Sequence, residues 1–228
     1  MNKIIVLDFA GTLIKAKVIE EANKFRTRIL LRALPSKKEH ADPELLYKAN
    51  RDFVKMLTGL KKNMKIKYRE NDLDFIQLNG EEVQNQIATN LFQIGMYMAA
   101  KKYKKKMMEE GIEEQLKIMK KKGYKLAIVS GVRTDIISGM LAIAGIKIDF
   151  DYIYGQPPIL GLENQKYAVK ELRAKGKIKY IIGDKISDLE RVPEAKKIFV
   201  KWGHPSGGEE KKSDYIISKT KELEKVIL

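Results

Sequence analysis

Four short runs in this chain are apolar with almost no polar alternation: residues 4–7, 126–129, 180–182 and 198–201. A strand with apolar side chains on both sides has no face to offer water, so it must be covered above and below. Residues 214–217 read as a fifth strand, followed by a short helix over 220–227. Helical periodicity over 134–144 and 165–174 separates the second strand from the third. Buried strands joined by helices predict an α/β fold, with a parallel sheet covered on both faces.

The interval between the first two strands is too long for one crossover helix. From about residue 15 to 110 the pattern is helical almost throughout, with no convincing strand. Val18, Ile19, Ala22, Phe25, Ile29 and Leu30 form one apolar face, and Asp42-Pro43-Glu44 starts a second helix reaching Leu60. Asn79-Gly80-Glu81 precedes a long third helix, with Val83, Ile87, Leu91, Ile94 and Met98 on its stripe. Gly111 then opens a helix over 112–122 that leads into the second strand. A helical module of roughly a hundred residues, the size of a small domain, is thus inserted directly after the first strand and its turn.

Ligands of open parallel sheets bind beyond the carboxyl ends of the strands, so what each strand delivers there matters. The first delivers Asp8, followed by Gly11 and Thr12. The second delivers Ser130 and Gly131, and the third delivers Gly183-Asp184 with Asp188 one helical turn further on. Lys166 opens the helix before the third strand. Asp8 and Asp184 side by side at low dielectric repel one another unless a hard divalent cation lies between them, and Mg²⁺ suits oxygen ligands. Such an ion would neutralise a phosphoryl group and align it for attack by Asp8, while Ser130, Lys166 and the amides near Gly11 hold its oxygens. Each residue also has an ordinary reading. Asp8 and Thr12 can cap a turn, Ser130-Gly131 can be a tight turn, Lys166 can be a surface lysine, and Asp184 and Asp188 can be helix N-terminal acids.

Taken together, Asp8-Phe9-Ala10-Gly11-Thr12, Ser130, Lys166 and Gly183-Asp184 through Asp188 resemble the four motifs of the haloacid dehalogenase-like (HAD) superfamily. The resemblance implies a Rossmann-like core over residues 1–14 and 110–228, with a helical C1 cap over 15–109. It also implies Mg²⁺ dependence, with Asp8, Asp184, Asp188 and the Ala10 carbonyl at the metal, and an aspartyl-phosphate intermediate on Asp8. Gly11, Thr12, Ser130, Gly131 and Lys166 would bind the phosphate of a small phosphorylated substrate.

Ala10 departs from the family's phosphatases, which usually carry there a second aspartate that protonates the leaving group and activates water. General acid–base assistance of that kind is worth ~10²–10⁴ in rate. Asp188 is expected to lie too far round the site to take its place. Three readings follow: a phosphatase working without the usual acid, a phosphonatase-like enzyme, or a non-catalytic phosphate-binding protein. The phosphonatase-like branch shares the D-x-A-G-T pattern and uses a cap lysine as a Schiff base; Lys48 and Lys55 are the candidates here. The sequence around those lysines does not resemble the phosphonatase lysine motif, and retention of Asp8, Lys166, Asp184 and Asp188 argues against a non-catalytic protein, so the phosphatase is favoured.

The rest of the composition excludes other classes. The chain has no cysteine, so disulfides, thiolate metal sites and cysteine nucleophiles are absent. Asp8 and Lys15 break the first apolar stretch too early for a signal peptide, and no run has membrane-spanning length, which predicts a cytoplasmic protein with no membrane partner. The net charge of +15 favours anionic ligands. Its lysine clusters, 101–102, 104–106 and 120–122, lie on helical segments and read as solvated surfaces rather than a nucleic-acid patch. His40 and His204 read as surface or loop residues. The Met-rich stretch Met96, Met98, Met107 and Met108 reads as core, and nothing in the sequence signals an oligomeric state.

Overall fold

A computed structural model describes residues 2–33, 80–156 and 164–227. The strands are β1 (Lys3–Leu7), β2 (Tyr124–Arg133), β3 (Tyr152–Gln156), β4 (Lys177–Gly183), β5 (Lys196–Val200) and β6 (Tyr215–Ile217). The helices are α1 (Ala16–Ala33), α2 (Gly80–Tyr103), α3 (Ile112–Lys121), α4 (Thr134–Ala144), α5 (Asn164–Lys175), α6 (Ile186–Leu189), α7 (Glu209–Lys212) and α8 (Leu223–Val226). A 3₁₀ turn, Lys104–Met107, follows α2, and another, Thr220–Glu222, precedes α8. The six strands form one all-parallel sheet in the order β3-β2-β1-β4-β5-β6, the order of a doubly wound Rossmann-like fold.

Both faces of β1 are buried, as its unbroken apolar run requires. Ile5 and Leu7 point into a core with α3, α4 and α8, where Ile112, Leu116, Ile136, Met140 and Leu223 meet them. Ile4 and Val6 point the other way, onto Ala168, Val169 and Leu172 of α5. Val18 and Ala22 of α1 and Met96, Ala99 and Ala100 of α2 join the first core. The two helices pack on one another, so the ends of the inserted segment are anchored to the sheet.

Several expectations are revised. β3 was not anticipated: Tyr152-Ile153-Tyr154-Gly155-Gln156 is short and carries a glycine, which weakens a strand pattern. Gly155 is needed there, because a Cβ would overlap the backbone of Val132 and Thr134. β2 runs to Arg133 instead of ending at Val129, with its pairing to β3 irregular between Val129 and Arg133, so Ser130-Gly131 is an irregular stretch of strand and not a turn. The terminal helix is broken into a 3₁₀ turn and one short helical turn. Met96, Met107 and Met108 are buried as expected, but Met98 is half exposed. The helix expected over 42–60, with Lys48 and Lys55, lies outside the described residues, as do His40 and the side chains of Val83, Ile87 and Lys166.

Candidate active site

β1 and β4 lie side by side where the sheet connections diverge to opposite edges, the topological switch point at which such folds bind ligands. The ladder continues one residue past β1, the Asp8 amide donating to the Ile182 carbonyl at 2.9 Å. The chain then turns sharply. Leu13 and Ile14 amides both donate to the Phe9 carbonyl at 3.0 Å, and the Gly11 amide donates to the Ile14 carbonyl at 3.0 Å. Phe9, Leu13 and Ile14 are fully buried, so the turn is held by the core beneath it.

Asp184 follows β4 directly, and Asp188 sits in the single turn of α6. Oxygens of Asp8, Asp184 and Asp188 lie within 4.8 Å of one another, and all three residues are buried. Pairwise repulsion at that separation is on the order of 3 kcal/mol at an effective dielectric of ~20. Burial pushes the Asp8 carboxyl well above the usual range, with Asp188 adding to the effect and Arg191 opposing it. Burial likewise raises Asp184 against the His204 amide, and raises Asp188 against the Arg191 charge.

The cluster is fitted to hold a cation. The His204 amide donates to Asp184 Oδ2 at 2.7 Å, yet Asp184 Oδ1 is buried with no partner among the described residues. A Cβ on Gly11, where φ is +89°, or on Gly203 would overlap the Asp184 carboxylate, so two loops close on this side chain. Three carboxylates and the Arg191 guanidinium leave two formal negative charges, which a divalent ion with oxygen ligands matches.

Of the other expected site residues, Gly11 closes on Asp184 and Ser130 lies beside the turn after Asp8. The β1–β2 register pairs Leu7 with Ile128, so Ser130 lies two residues along, beside the turn after Asp8. Ser130 is buried, its Oγ accepting from the Val132 amide at 3.3 Å. Gly131 is exposed, and its carbonyl accepts from Gln93 Nε2 at 3.4 Å. The Thr12 hydroxyl is buried without a partner among the described residues, so it does not cap its turn, while the Thr12 carbonyl accepts from Trp202 Nε1 at 3.1 Å. Ala10 is half buried, bridged to Ile14, and offers only a methyl group. Lys166 lies in the first turn of α5.

Asp188 lies with Asp8 and Asp184, where Arg191 holds it at 2.7 Å and the Lys185 amide donates to it at 3.2 Å. One expectation about neighbours is corrected. His204 is more than a loop residue: besides the amide on Asp184, its ring Nε2 lies 3.2 Å from the Ala16 carbonyl at the start of α1. Sequence reasoning also missed Arg191 and Gln93. Arg191 stands three residues after Asp188, a helical-neighbour spacing that flags an acid–base pair. Gln93 is a polar residue buried among the apolar positions of α2, and its Oε1 accepts from the Arg133 amide at 3.2 Å.

Residues 43–201, more than half of the chain, match the family model described as haloacid dehalogenase-like hydrolase. The matched span contains Ser130, Lys166, Asp184 and Asp188, and begins after Asp8. No curated protein in the comparison matches the chain. Among solved structures, a haloacid dehalogenase-like family hydrolase from Streptococcus pneumoniae superposes with a TM-score of 0.62 at 18% identity, covering 100% of this chain and 99% of its own. A protein from Haemophilus somnus described as a predicted phosphoglycolate phosphatase gives 0.62 at 14% identity, covering 100% and 98%. A HAD hydrolase from Bacillus subtilis bound to magnesium gives 0.57 at 14% identity, covering 99% and 98%. At these identities the likeness is one of fold.

Proposed function

The chain belongs to the haloacid dehalogenase-like hydrolases, and from that premise we propose that it is a Mg²⁺-dependent phosphatase of a small phosphorylated compound. The observation that carries the reading is the buried meeting of Asp8, Asp184 and Asp188 beside an unpartnered Asp184 oxygen. Asp8, Asp184, Asp188 and the Ala10 carbonyl are the groups that would hold the metal. When bound, Mg²⁺ supplies charge neutralisation and Lewis acidity at the phosphoryl oxygens.

In the first step an Asp8 oxygen forms a bond to phosphorus as the bond from phosphorus to the leaving oxygen breaks, and the electron pair departs with that oxygen. Ser130, Lys166 and the amides around Gly11, Thr12 and Gly131 hold the non-bridging oxygens as charge shifts among them. In the second step water attacks the phosphorus of the aspartyl phosphate, and Asp8 leaves as a carboxylate. One proton of the water stays on orthophosphate and the other goes to solvent. The methyl group of Ala10 has no proton to give the leaving oxygen, which favours substrates with acidic leaving groups. Residues 15–109 serve as the cap, closing over the substrate and excluding water, and residues 1–14 and 110–228 form the catalytic core.

Hydrolysis of p-nitrophenyl phosphate by the wild type and by Asp8→Asn, each with Mg²⁺ and with EDTA, tests the reading. Wild-type turnover that disappears with either change is expected. Turnover that persists in Asp8→Asn, or in EDTA, overturns it.

A further inference from the structure

Arg191 belongs to none of the motifs that identified this site, yet it touches three of the site's walls. Its Nη2 lies 2.7 Å from Asp188 Oδ1, its Nη1 donates to the Val129 carbonyl at 2.8 Å, and Nη1 lies 3.9 Å from Asp8 Oδ1. Val129 immediately precedes Ser130, so one guanidinium links the nucleophile's strand, the serine's strand and the acid of α6. The side chain is 13% exposed, and its Nε is buried with no partner among the described residues. An ion pair serving α6 alone would need only the Asp188 contact, since residues three apart already meet on a helical turn. The reach to Val129 and Asp8 is additional, and it fixes where the positive charge sits.

We infer that Arg191 is an electrostatic residue of this site, a cation fixed in place by Asp188 and the Val129 carbonyl that favours an anionic phosphoryl group beside Asp8. The inference rests on the phosphatase reading and deepens it. Arg191 supplies a charge that the family motifs assign to Lys166 alone. Its guanidinium is always charged, and its fork makes two directed contacts at once, which an ammonium does not.

A fixed cation here acts with opposite sign on the two ligands of the site: it attracts phosphate and repels Mg²⁺. Loss of packing would weaken both together. Titration calorimetry of the full chain with Mg²⁺ alone, then with inorganic phosphate at saturating Mg²⁺, separates these cases. For Arg191→Met, phosphate binding is expected to weaken about ten- to a hundredfold, while Mg²⁺ binding is unchanged or tighter. Arg191→Lys keeps the charge and is expected to regain at least part of the lost phosphate affinity. Should Arg191→Met fail to fold by circular dichroism, Arg191→Gln, which can still donate to the Val129 carbonyl, carries the same test.

Phosphate affinity unchanged by the substitution overturns the inference, and so does a joint loss of phosphate and Mg²⁺ affinity. Either result in an enzyme whose wild type hydrolyses p-nitrophenyl phosphate leaves the phosphatase reading standing. A wild type that neither binds Mg²⁺ nor hydrolyses the ester removes both.

Discussion

At the scale of single residues the site is a balance of buried charge. Asp8, Asp184 and Asp188 crowd together against Arg191, and Asp184 keeps one oxygen without a partner. Ala10 is the residue whose chemistry is missing. It is half buried beside the Ile14 bridge, two residues along the chain from Asp8, so an added carboxylate there keeps access to solvent. Ala10→Asp is therefore expected to speed hydrolysis of alkyl phosphates at least tenfold while changing p-nitrophenyl phosphate turnover much less, because only the poor leaving group needs a proton donor. Equal effects on the two substrates would show that leaving-group protonation does not limit this enzyme. Asp8, Ser130 and Asp184 were legible as individual residues because each ends or follows an apolar run, and Asp188 because it stands one helical turn after Asp184. Arg191, Gln93 and the His204 amide were not, because their roles depend on what the fold sets opposite them.

At the scale of elements, β3 was the strand hidden from sequence, and its position depends on Asp151. The Asp151 amide donates to the Leu126 carbonyl at 2.9 Å, and its carboxylate accepts from the Leu126 amide at 2.9 Å. Lys120 of α3 and Lys125 of β2 pair with the same carboxylate at 2.7 and 2.9 Å. Partial burial pushes the Asp151 carboxyl up, but these lysines and the Leu126 amide outweigh it and hold the group down at about 2. A folded-state pKa below the unfolded value contributes stability that is present above pH ~4 and lost as the pH falls toward 2. Asp151→Asn keeps an acceptor for the Leu126 amide and loses the ion pairs, so it is expected to cost about 1 kcal/mol at pH 7. The difference between its melting temperature and that of the wild type should shrink steadily between pH 5 and pH 2; a constant offset would sink this account. The helices were the more legible elements. α4 and α5 lie where their periodicity put them, because an amphipathic stripe repeats over enough turns to be seen. β3 has five residues, one a glycine required by the backbone it crosses.

At the scale of the whole molecule, the charge of +15 is spread along the chain. Lys102 pairs with Glu21 at 3.0 Å, Lys105 with Glu113 at 3.3 Å and Lys120 with Asp151 at 2.7 Å, so each cluster is partly committed to its own neighbours. The overall field still favours anionic substrates. Raising the ionic strength from about 0.05 to 0.5 M is expected to raise KM for a phosphate ester several-fold and leave kcat within about twofold. A KM indifferent to salt would show that the field plays no part in capture. Among the described residues no helix is long and apolar enough to cross a membrane. The unalternating apolar runs by themselves determined a doubly covered parallel sheet, because such strands have no face to give to water, and the residues closing those runs determined which carboxylates stand at its edge. Only the tertiary structure decided that Asp188 adjoins Asp8, that Arg191 joins them, and that the His204 loop closes on Asp184. Those meetings join β1, β2, β4 and β5 through strand order and register, and no local pattern along the chain encodes which strands become neighbours.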